Sequence, residues 1–245
     1  AGVVAGLAAA GAAARAFGEP IDVHLVAADG DACAAGETIA RMDGSIAVIL
    51  AAERTVLNLL GRLSGIATLT RRFVDAVAGE TAVVCGTRKT TPGWRGLEKY
   101  AVRCGGGTLH RIGLYDAALY KDNHLARLGP NPGPALAAAI ASVRREHPLR
   151  FVQVEADTLD QVRTILQFEP GLVDLVLLDN MADAELSASV ALRAELAPTI
   201  LLEASGGVTL ARVRAVAATG VDRISVGAVT HSAPALDIGL DLEPA

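Results

Sequence analysis

Between residues 81 and 227 the chain repeats one theme, a short apolar run bounded by polar or glycine residues and then, in most cases, a stretch with helical periodicity. The runs are Thr81 to Thr87, Ala118 to Asp122, Phe151 to Asp157, Val173 to Asn180, Thr199 to Gly206 and Val221 to Gly227. Helical stretches at Leu159 to Phe168, Ala182 to Leu196 and Leu210 to Ala218 separate the last four, which recur at intervals of roughly two dozen residues. Hairpins need only tight turns, so spacing of this length demands parallel strands joined by right-handed crossovers. A parallel α/β barrel is the expected class, and the C-terminal ends of its strands are where side chains converge on one face.

The preceding segment has another character. Val3 to Leu7, an alanine-rich helical stretch to Ala16, and the alternating Ile21 to Ala27 are punctuated by turns at Asp29-Gly30-Asp31, Gly36-Glu37-Thr38-Ile39 and Asp43-Gly44. Such short strands and turns fit a small sandwich. A biotin-type carrier would need a lysine at the Asp43-Gly44 turn, where Arg41-Met42 precede instead, so the segment reads as scaffold. From Leu50 to Ala78, Val56, Leu59, Leu60, Leu63, Ile66, Ala67 and Leu69 recur at helical steps and predict a long amphipathic helix with a break near Ser64-Gly65.

Composition removes several function classes. With 245 residues and 51% apolar positions the chain can bury a large core. No run is long and apolar enough to read as a transmembrane helix, because charges or glycines interrupt each one. A net charge of −5 argues against a general nucleic-acid binder. Cys33, Cys85 and Cys104 stand far apart with no CxxC pair, as reduced core thiols do, and the expected location is cytoplasmic. The chain starts Ala1-Gly2-Val3-Val4 and is expected to lack its natural beginning.

The charges that remain are concentrated. Residues 88 to 121 hold Arg88, Lys89, Arg95, Lys99, Arg103, Arg111 and Lys121 against only Glu98 and Asp116. Arg95, Lys99 and Arg103 fall at four-residue steps after Pro92-Gly93 and fit a solvated helix face. The other four adjoin strand ends or glycine loops, where cations grip carboxylates and phosphates. Glu155, Asp179 and Glu203 lie at or near the ends of successive apolar runs. Any one could cap the next helix, but three in three successive units suit Mg²⁺ or sugar hydroxyls better. Ser205-Gly206-Gly207 before an expected helix at Val208, and Gly227-Ala228, occupy the last two strand-to-helix loops, a common phosphate position in barrels. Gly105-Gly106-Gly107 matches neither a dinucleotide nor a Walker pattern. Together these residues suggest a barrel enzyme acting on a phosphorylated, carboxylated substrate. His24, His147 and His231 receive no role.

The run Glu53-Arg54-Thr55-Val56-Leu57-Asn58, then Leu63-Ser64-Gly65-Ile66-Ala67-Thr68, Gly86-Thr87-Arg88-Lys89-Thr90-Thr91-Pro92-Gly93, Glu98-Lys99-Tyr100, His110-Arg111 and Lys121-Asp122-Asn123-His124 resembles the quinolinate phosphoribosyltransferase family. The resemblance continues through Val154-Glu155, Leu178-Asp179-Asn180, Glu203-Ala204-Ser205-Gly206-Gly207, Val226-Gly227-Ala228 and Asp237-Ile238-Gly239-Leu240-Asp241. It implies an incomplete parallel α/β barrel over residues 81–231 with an N-terminal α/β sandwich and linking helix over 1–80, completed by 232–245. It also implies a homodimer, and transfer of a phosphoribosyl group from phosphoribosyl pyrophosphate to quinolinate with decarboxylation and Mg²⁺, a step of de novo NAD biosynthesis. Carried over position by position, Arg54 reaches the neighbouring subunit's site, Arg88, His110, Arg111 and Lys121 line the dicarboxylate site, and Lys89 faces pyrophosphate. Glu155 and Asp179 hold ribose or metal, Ser205, Gly206, Gly207, Gly227 and Ala228 take the 5′-phosphate, and Thr87 belongs to the same binding set.

Three positions depart from the pattern. Leu109 stands where bacterial members usually have Asn, Gly86 where many have Asp, and Gln153 where Glu is common. Leu109 and Gln153 leave open a paralogue acting on another pyridine carboxylate. A different class also stays open, a lyase using Lys121 as a Schiff-base nucleophile, which borohydride trapping with a keto acid would reveal.

Overall fold

The computed structural model describes residues 1–18, 20–128 and 132–242. Residues 243–245 of the expected closing segment lie outside the described residues. The chain divides into two compact units that are discontinuous in sequence, one of Ala1–Asp75, Lys89–Leu109 and Gly227–Ala245, the other of Ala76–Arg88 and His110–Val226.

In the first unit β1 (Gly2–Val3) precedes α1 (Leu7–Arg15), β2 (Ile21–Leu25), β3 (Ala32–Cys33) and β4 (Ala40–Gly44). β1 pairs antiparallel with β3, and β2 with β4, where Val23 stands opposite Met42. α1 buries Leu7, Ala10, Gly11 and Ala14, a stripe at three- and four-residue steps. Its alanines carry no rotamer entropy to lose and let the helix lie close to its neighbours. Val4, Leu7, Ala10, Ala14, Ile21, Ile49, Ala52, Val56 and Leu60 form one core cluster.

The last four of those residues come from α2 (Ile46–Ala76), a 31-residue helix that runs without interruption through the expected break at Ser64-Gly65. Two contacts explain the continuity. Ser64 Oγ accepts the Ala5 N–H at 3.0 Å and donates to the Ala5 carbonyl at 3.3 Å, so its hydroxyl binds β1's neighbour and does not unwind its own turn. A Cβ at Gly65 would collide with the Pro234 carbonyl, so the glycine serves close packing.

After one strand of the second unit, β5 (Val83–Gly86), the first unit resumes with α3 (Arg95–Cys104) and β6 (Thr108–Leu109). α3 corrects one expectation. Lys99 is buried, not solvated, beside Glu98, which is fully buried and takes the Arg62 guanidinium at 2.7 Å.

The second unit continues with β7 (Ala118–Tyr120), α4 (Asp122–Leu125), α5 (Gly133–Glu146), β8 (Val152–Ala156), α6 (Leu159–Leu166), β9 (Leu175–Asp179), α7 (Asp183–Leu196), β10 (Leu201–Ser205), α8 (Val213–Ala218) and β11 (Arg223–Val226). Six strands of a seven-stranded sheet lie here in the order β5-β11-β10-β9-β8-β7, and each adjacent pair is parallel. All five residues of β8 are buried, as a strand covered on both faces requires. The expected incomplete parallel α/β barrel with an N-terminal α/β sandwich is the observed fold.

One device recurs at strand starts. Asp174, just before β9, accepts the Val152 N–H at 2.6 Å and the Arg144 guanidinium at 2.5 Å. Asp222, just before β11, accepts the Leu202 N–H at 2.7 Å and Arg193 at 3.1 Å. Each acid ties an N–H at the start of the neighbouring strand, the first of β8 and the second of β10, to a helix cation and so fixes sheet register. Among the described residues no helix is long and apolar enough to cross a membrane.

Candidate active site

At the C-terminal ends of β7, β8 and β9, three residues named from the sequence, Lys121, Glu155 and Asp179, stand close together. Lys121, one residue past β7, places Nζ 2.7 Å from Oε2 of Glu155, a buried residue of β8, and the Asp122 N–H donates to Glu155 Oε1 at 3.4 Å. The Lys121 side chain is 49% exposed. Its N–H donates to His124 Nδ1 at 2.9 Å, which shapes the Lys-Asp-Asn-His turn. Asp179 closes β9, and its Oδ2 accepts from Asn180 Nδ2 at 2.6 Å. Asp157, not singled out from the sequence, belongs with these acids. Desolvation raises its carboxyl, and the charges of Glu155, Asp179 and Asp122 raise it further against the opposing Lys121.

Arg111 and Arg88 lie near enough for each charge to oppose the other. Arg111 is 7% exposed and donates to the Ala117 carbonyl at 3.2 Å. Burial lowers its guanidinium from the ordinary value, the Arg88 charge pushes the same way, and Asp116 offsets part of the shift. Asp116 organises the loop itself. Burial raises its carboxyl, but the Ile112 and Gly113 N–H groups at 2.9 and 3.0 Å, with Arg150, bring it below the usual range. Thr87 and Arg88 follow β5 directly and are half-buried.

His110 stands behind Arg111 and contacts protein through both ring nitrogens. Nδ1 accepts the Arg111 N–H at 2.7 Å, so the neutral ring carries its proton on Nε2, 2.6 Å from Gln153 Oε1 and 3.3 Å from Glu203 Oε1. Phe151 meets the ring edge-on at 5.3 Å and carries the Arg223 guanidinium 5.9 Å from its centroid. Glu203 is fully buried within β10, not at the strand end where its place in the run suggested. It also takes Arg223 Nε at 3.0 Å and the Ser225 hydroxyl at 2.5 Å. Burial raises its carboxyl, yet the bond from His110, the Arg223 charge and the Ser225 bond hold it below the ordinary range. Gln153, Glu203, Ser225 and Arg223 therefore form a polar support; the sequence named Glu203 only as a strand-end acid and Gln153 only as a departure, and gave no role to Ser225 or Arg223. The available signal was a glutamine and a glutamate inside strands whose neighbours are all buried.

The loop Ser205-Gly206-Gly207 leaves β10 with two successive left-handed glycines, φ 94° and 56°. The expected helix at Val208 is absent. α8 begins only at Val213, so any anion held here meets loop N–H groups and not a helix start.

Lys89, Gly227 and Ala228 gather in the first unit. Gly227 caps α9 (Ala228–His231), and a Cβ there would lie 3.1 Å from both Lys89 Cδ and His231 Nε2. The Thr230 hydroxyl donates to the Lys89 carbonyl at 2.7 Å. His231, given no role from sequence, thus adjoins the Lys89 side chain. Arg54 lies on α2 with a side chain 76% exposed, 3.6 Å from Glu53.

A parallel half-barrel with cations and acids gathered at its strand ends defines the class, an α/β-barrel enzyme for a small polyanion. Two family models match, the quinolinate phosphoribosyl transferase N-terminal domain over residues 1–64 and the C-terminal domain over residues 66–241. The carboxylating nicotinate-nucleotide pyrophosphorylase of Mycobacterium leprae is 46% identical over 214 residues, covering 87% of this chain and 72% of that protein. The structure of nicotinate-nucleotide pyrophosphorylase from Ehrlichia chaffeensis superposes with a TM-score of 0.87 at 37% identity, covering 98% of this chain and 84% of that one. The enzyme of the same name from Francisella tularensis gives 0.86 at 34% identity, covering 96% and 80%. This chain belongs to the quinolinate phosphoribosyltransferase family.

Proposed function

We propose that the protein transfers a phosphoribosyl group from phosphoribosyl pyrophosphate to quinolinate and releases nicotinate mononucleotide, pyrophosphate and carbon dioxide, as a cytoplasmic step of NAD biosynthesis. The observation that carries the proposal is the guanidinium of Arg111, buried and held by the Ala117 carbonyl at 3.2 Å, with Arg88 near enough to oppose it. Two guanidiniums that disfavour one another at a desolvated site are stabilised by an incoming dianion, and quinolinate supplies two adjacent carboxylates. Arg88, Arg111 and Lys121 serve as the carboxylate grip, and His110 braces the Arg111 backbone. Thr87 belongs with the same group.

In the reaction the C1–O bond to pyrophosphate breaks as the pyridine nitrogen bonds to C1, which leaves the ring cationic. The C2–carboxylate bond then breaks, carbon dioxide departs, and the electron pair left at C2 is held by the cationic ring until it takes a proton. Most of the acceleration comes from holding two mutually repelling anions in line. Glu155 and Asp179 suit the ribose hydroxyls, Lys89 the pyrophosphate, and Ser205, Gly206, Gly207, Gly227 and Ala228 the 5′-phosphate.

Among the described residues no cluster of three or more His, Cys, Asp or Glu forms a ready metal site. The acids nonetheless fit Mg²⁺, which binds through one or two carboxylates plus substrate phosphates, and the mutual repulsion among Glu155, Asp157 and Asp179 is what a cation relieves. Asp179 and Glu155 would hold it, and it would supply charge neutralisation at the departing pyrophosphate. A homodimer with Arg54 contributed across the interface accords with the exposure of that side chain on α2.

Gln153 favours the second reading, a related pyridine carboxylate as acceptor. Its side chain is fully buried against His110, and its Nε2 has no hydrogen-bond partner among the described residues. The Schiff-base alternative fits poorly, since Lys121 is half exposed and ion-paired, the reverse of an apolar nucleophile's surroundings. The deciding experiment measures pyrophosphate and carbon dioxide release with phosphoribosyl pyrophosphate, Mg²⁺ and quinolinate beside other pyridine carboxylates. Stoichiometric release of both products with quinolinate alone is expected. Silence with quinolinate and turnover of another acid would move the function to that acceptor.

A further inference from the structure

Asn180 is the one described residue other than glycine with a positive φ, 54°. Asparagine tolerates that conformation better than most residues but does not need it, so the backbone is held there by its surroundings. Three contacts do the holding. The Asn180 N–H donates to the Ser205 carbonyl at 2.9 Å, which ties the end of β9 to the end of β10. Its Nδ2 donates to Asp179 Oδ2 at 2.6 Å, and a carboxylate bonded through one oxygen is restricted in rotamer. On the opposite side, a Cβ at Gly206 would collide with Asn180 Oδ1 and come within 2.5 Å of its Cγ. Gly206 is therefore glycine for two reasons, its own φ of 94° and the space that the Asn180 amide occupies.

We infer that Asn180 is a positioning residue that orients the Asp179 carboxylate and the Ser205-Gly206-Gly207 loop as one piece, so that the ribose and the 5′-phosphate of a single donor molecule are met together. The inference rests on the proposed function, because it assigns those two groups to one ligand. A purely structural role would be filled by glycine at position 180, which adopts φ 54° without strain and leaves the backbone bond to Ser205 in place. Positioning requires the amide. Asn180→Gly removes the amide and keeps the turn, whereas Asn180→Asp keeps an αL-tolerant residue but sets a second carboxylate beside Asp179.

The test is calorimetric titration of the protein with phosphoribosyl pyrophosphate in MgCl₂, alongside thermal melts and steady-state kinetics. For Asn180→Gly the expected result is a Kd and a KM for phosphoribosyl pyrophosphate raised at least about tenfold, with the KM for quinolinate unchanged and Tm near that of the unaltered protein. Asn180→Asp is expected to weaken donor binding further. If the unaltered protein binds the donor and Asn180→Gly binds it equally well, or loses both substrates alike, the inference is overturned while the proposed function stands. If the unaltered protein does not bind the donor, the proposed function fails and the inference with it.

Discussion

Glu203→Gln tests the buried support behind the site. The glutamate has no solvent exposure and holds Arg223 Nε at 3.0 Å and His110 Nε2 at 3.3 Å. At an effective dielectric constant of about 20, a unit pair at that separation is worth about 5 kcal/mol before desolvation costs. Glutamine keeps the shape and can still accept from Ser225, but it leaves Arg223, whose side chain is only 16% exposed, without its buried counter-charge. Removing one partner of such a pair costs about 3–5 kcal/mol. The lower figure is expected because Arg223 retains some water and the Phe151 face. In a chain of this size about 3 kcal/mol corresponds to a Tm decrease of roughly 6–12 °C. The pH dependence has a definite sign. The folded-state carboxyl of Glu203 lies below the ordinary glutamate range, so its contribution is complete above that range and is lost as pH falls through the folded pKa. Melting curves at neutral pH should therefore separate the two proteins, and curves at progressively lower pH should bring them together. A decrease of less than about 2 °C at neutral pH, against the several degrees expected, or a gap that widens on acidification, would refute the reasoning. The double variant Glu203→Gln with Arg223→Gln should lose less than the two single losses added.

Arg111→Ala should reduce quinolinate turnover by about 10²-fold or more while Tm stays level or rises, because it removes a desolvated cation opposed by Arg88; kinetics and a melt on the same sample check both halves. Gly65→Ala should lower stability by about 1–3 kcal/mol in a denaturant titration, since the obstacle is the Pro234 backbone carbonyl and not a flexible side chain. Asp157→Asn should raise Tm at neutral pH. The folded carboxyl is raised, so between the unfolded and folded values the native state holds more protons and loses stability as pH rises, and the gain from the amide should vanish in acid.

The strand-and-helix alternation was legible because parallel strands must be apolar and their crossovers must be amphipathic. The runs at 151–157, 173–180 and 199–206 enclose β8, β9 and β10, each trimmed by a few residues where polar ends leave the ladder. The long helix was legible for the same reason, but its continuity at Gly65 was not, since the cause is a carbonyl roughly 170 residues away, a separation no local pattern encodes. Lys99 shows the converse. Four-residue spacing placed it correctly on one helix face and said nothing about which face is covered. The strand-end cations and acids stood out by type and place. Glu203 and Gln153 carried the same letters as site residues, and only their contacts in the fold, to Arg223, Ser225 and His110, mark them as residues that brace others.

Strand order converts this linear set into a charge pattern. Arg88 follows β5 at one side of the six-strand array and Lys121 follows β7 at the other, while the glycine loop, Asp179 and Glu155 belong to β10, β9 and β8 between them. Chain order would instead set Arg88 and Lys121 together and leave the acids trailing. The crossover topology thus interleaves an acid-lined center with flanking cations, and each strand contributes one kind of group. A donor that carries both hydroxyls and phosphate needs those groups side by side, and an acceptor that carries carboxylates needs cations. Neighbouring strands β9 and β10 satisfy the first demand, which is why the Asn180 bridge between them, and not any single acid, is the place where altered geometry should separate donor binding from acceptor binding.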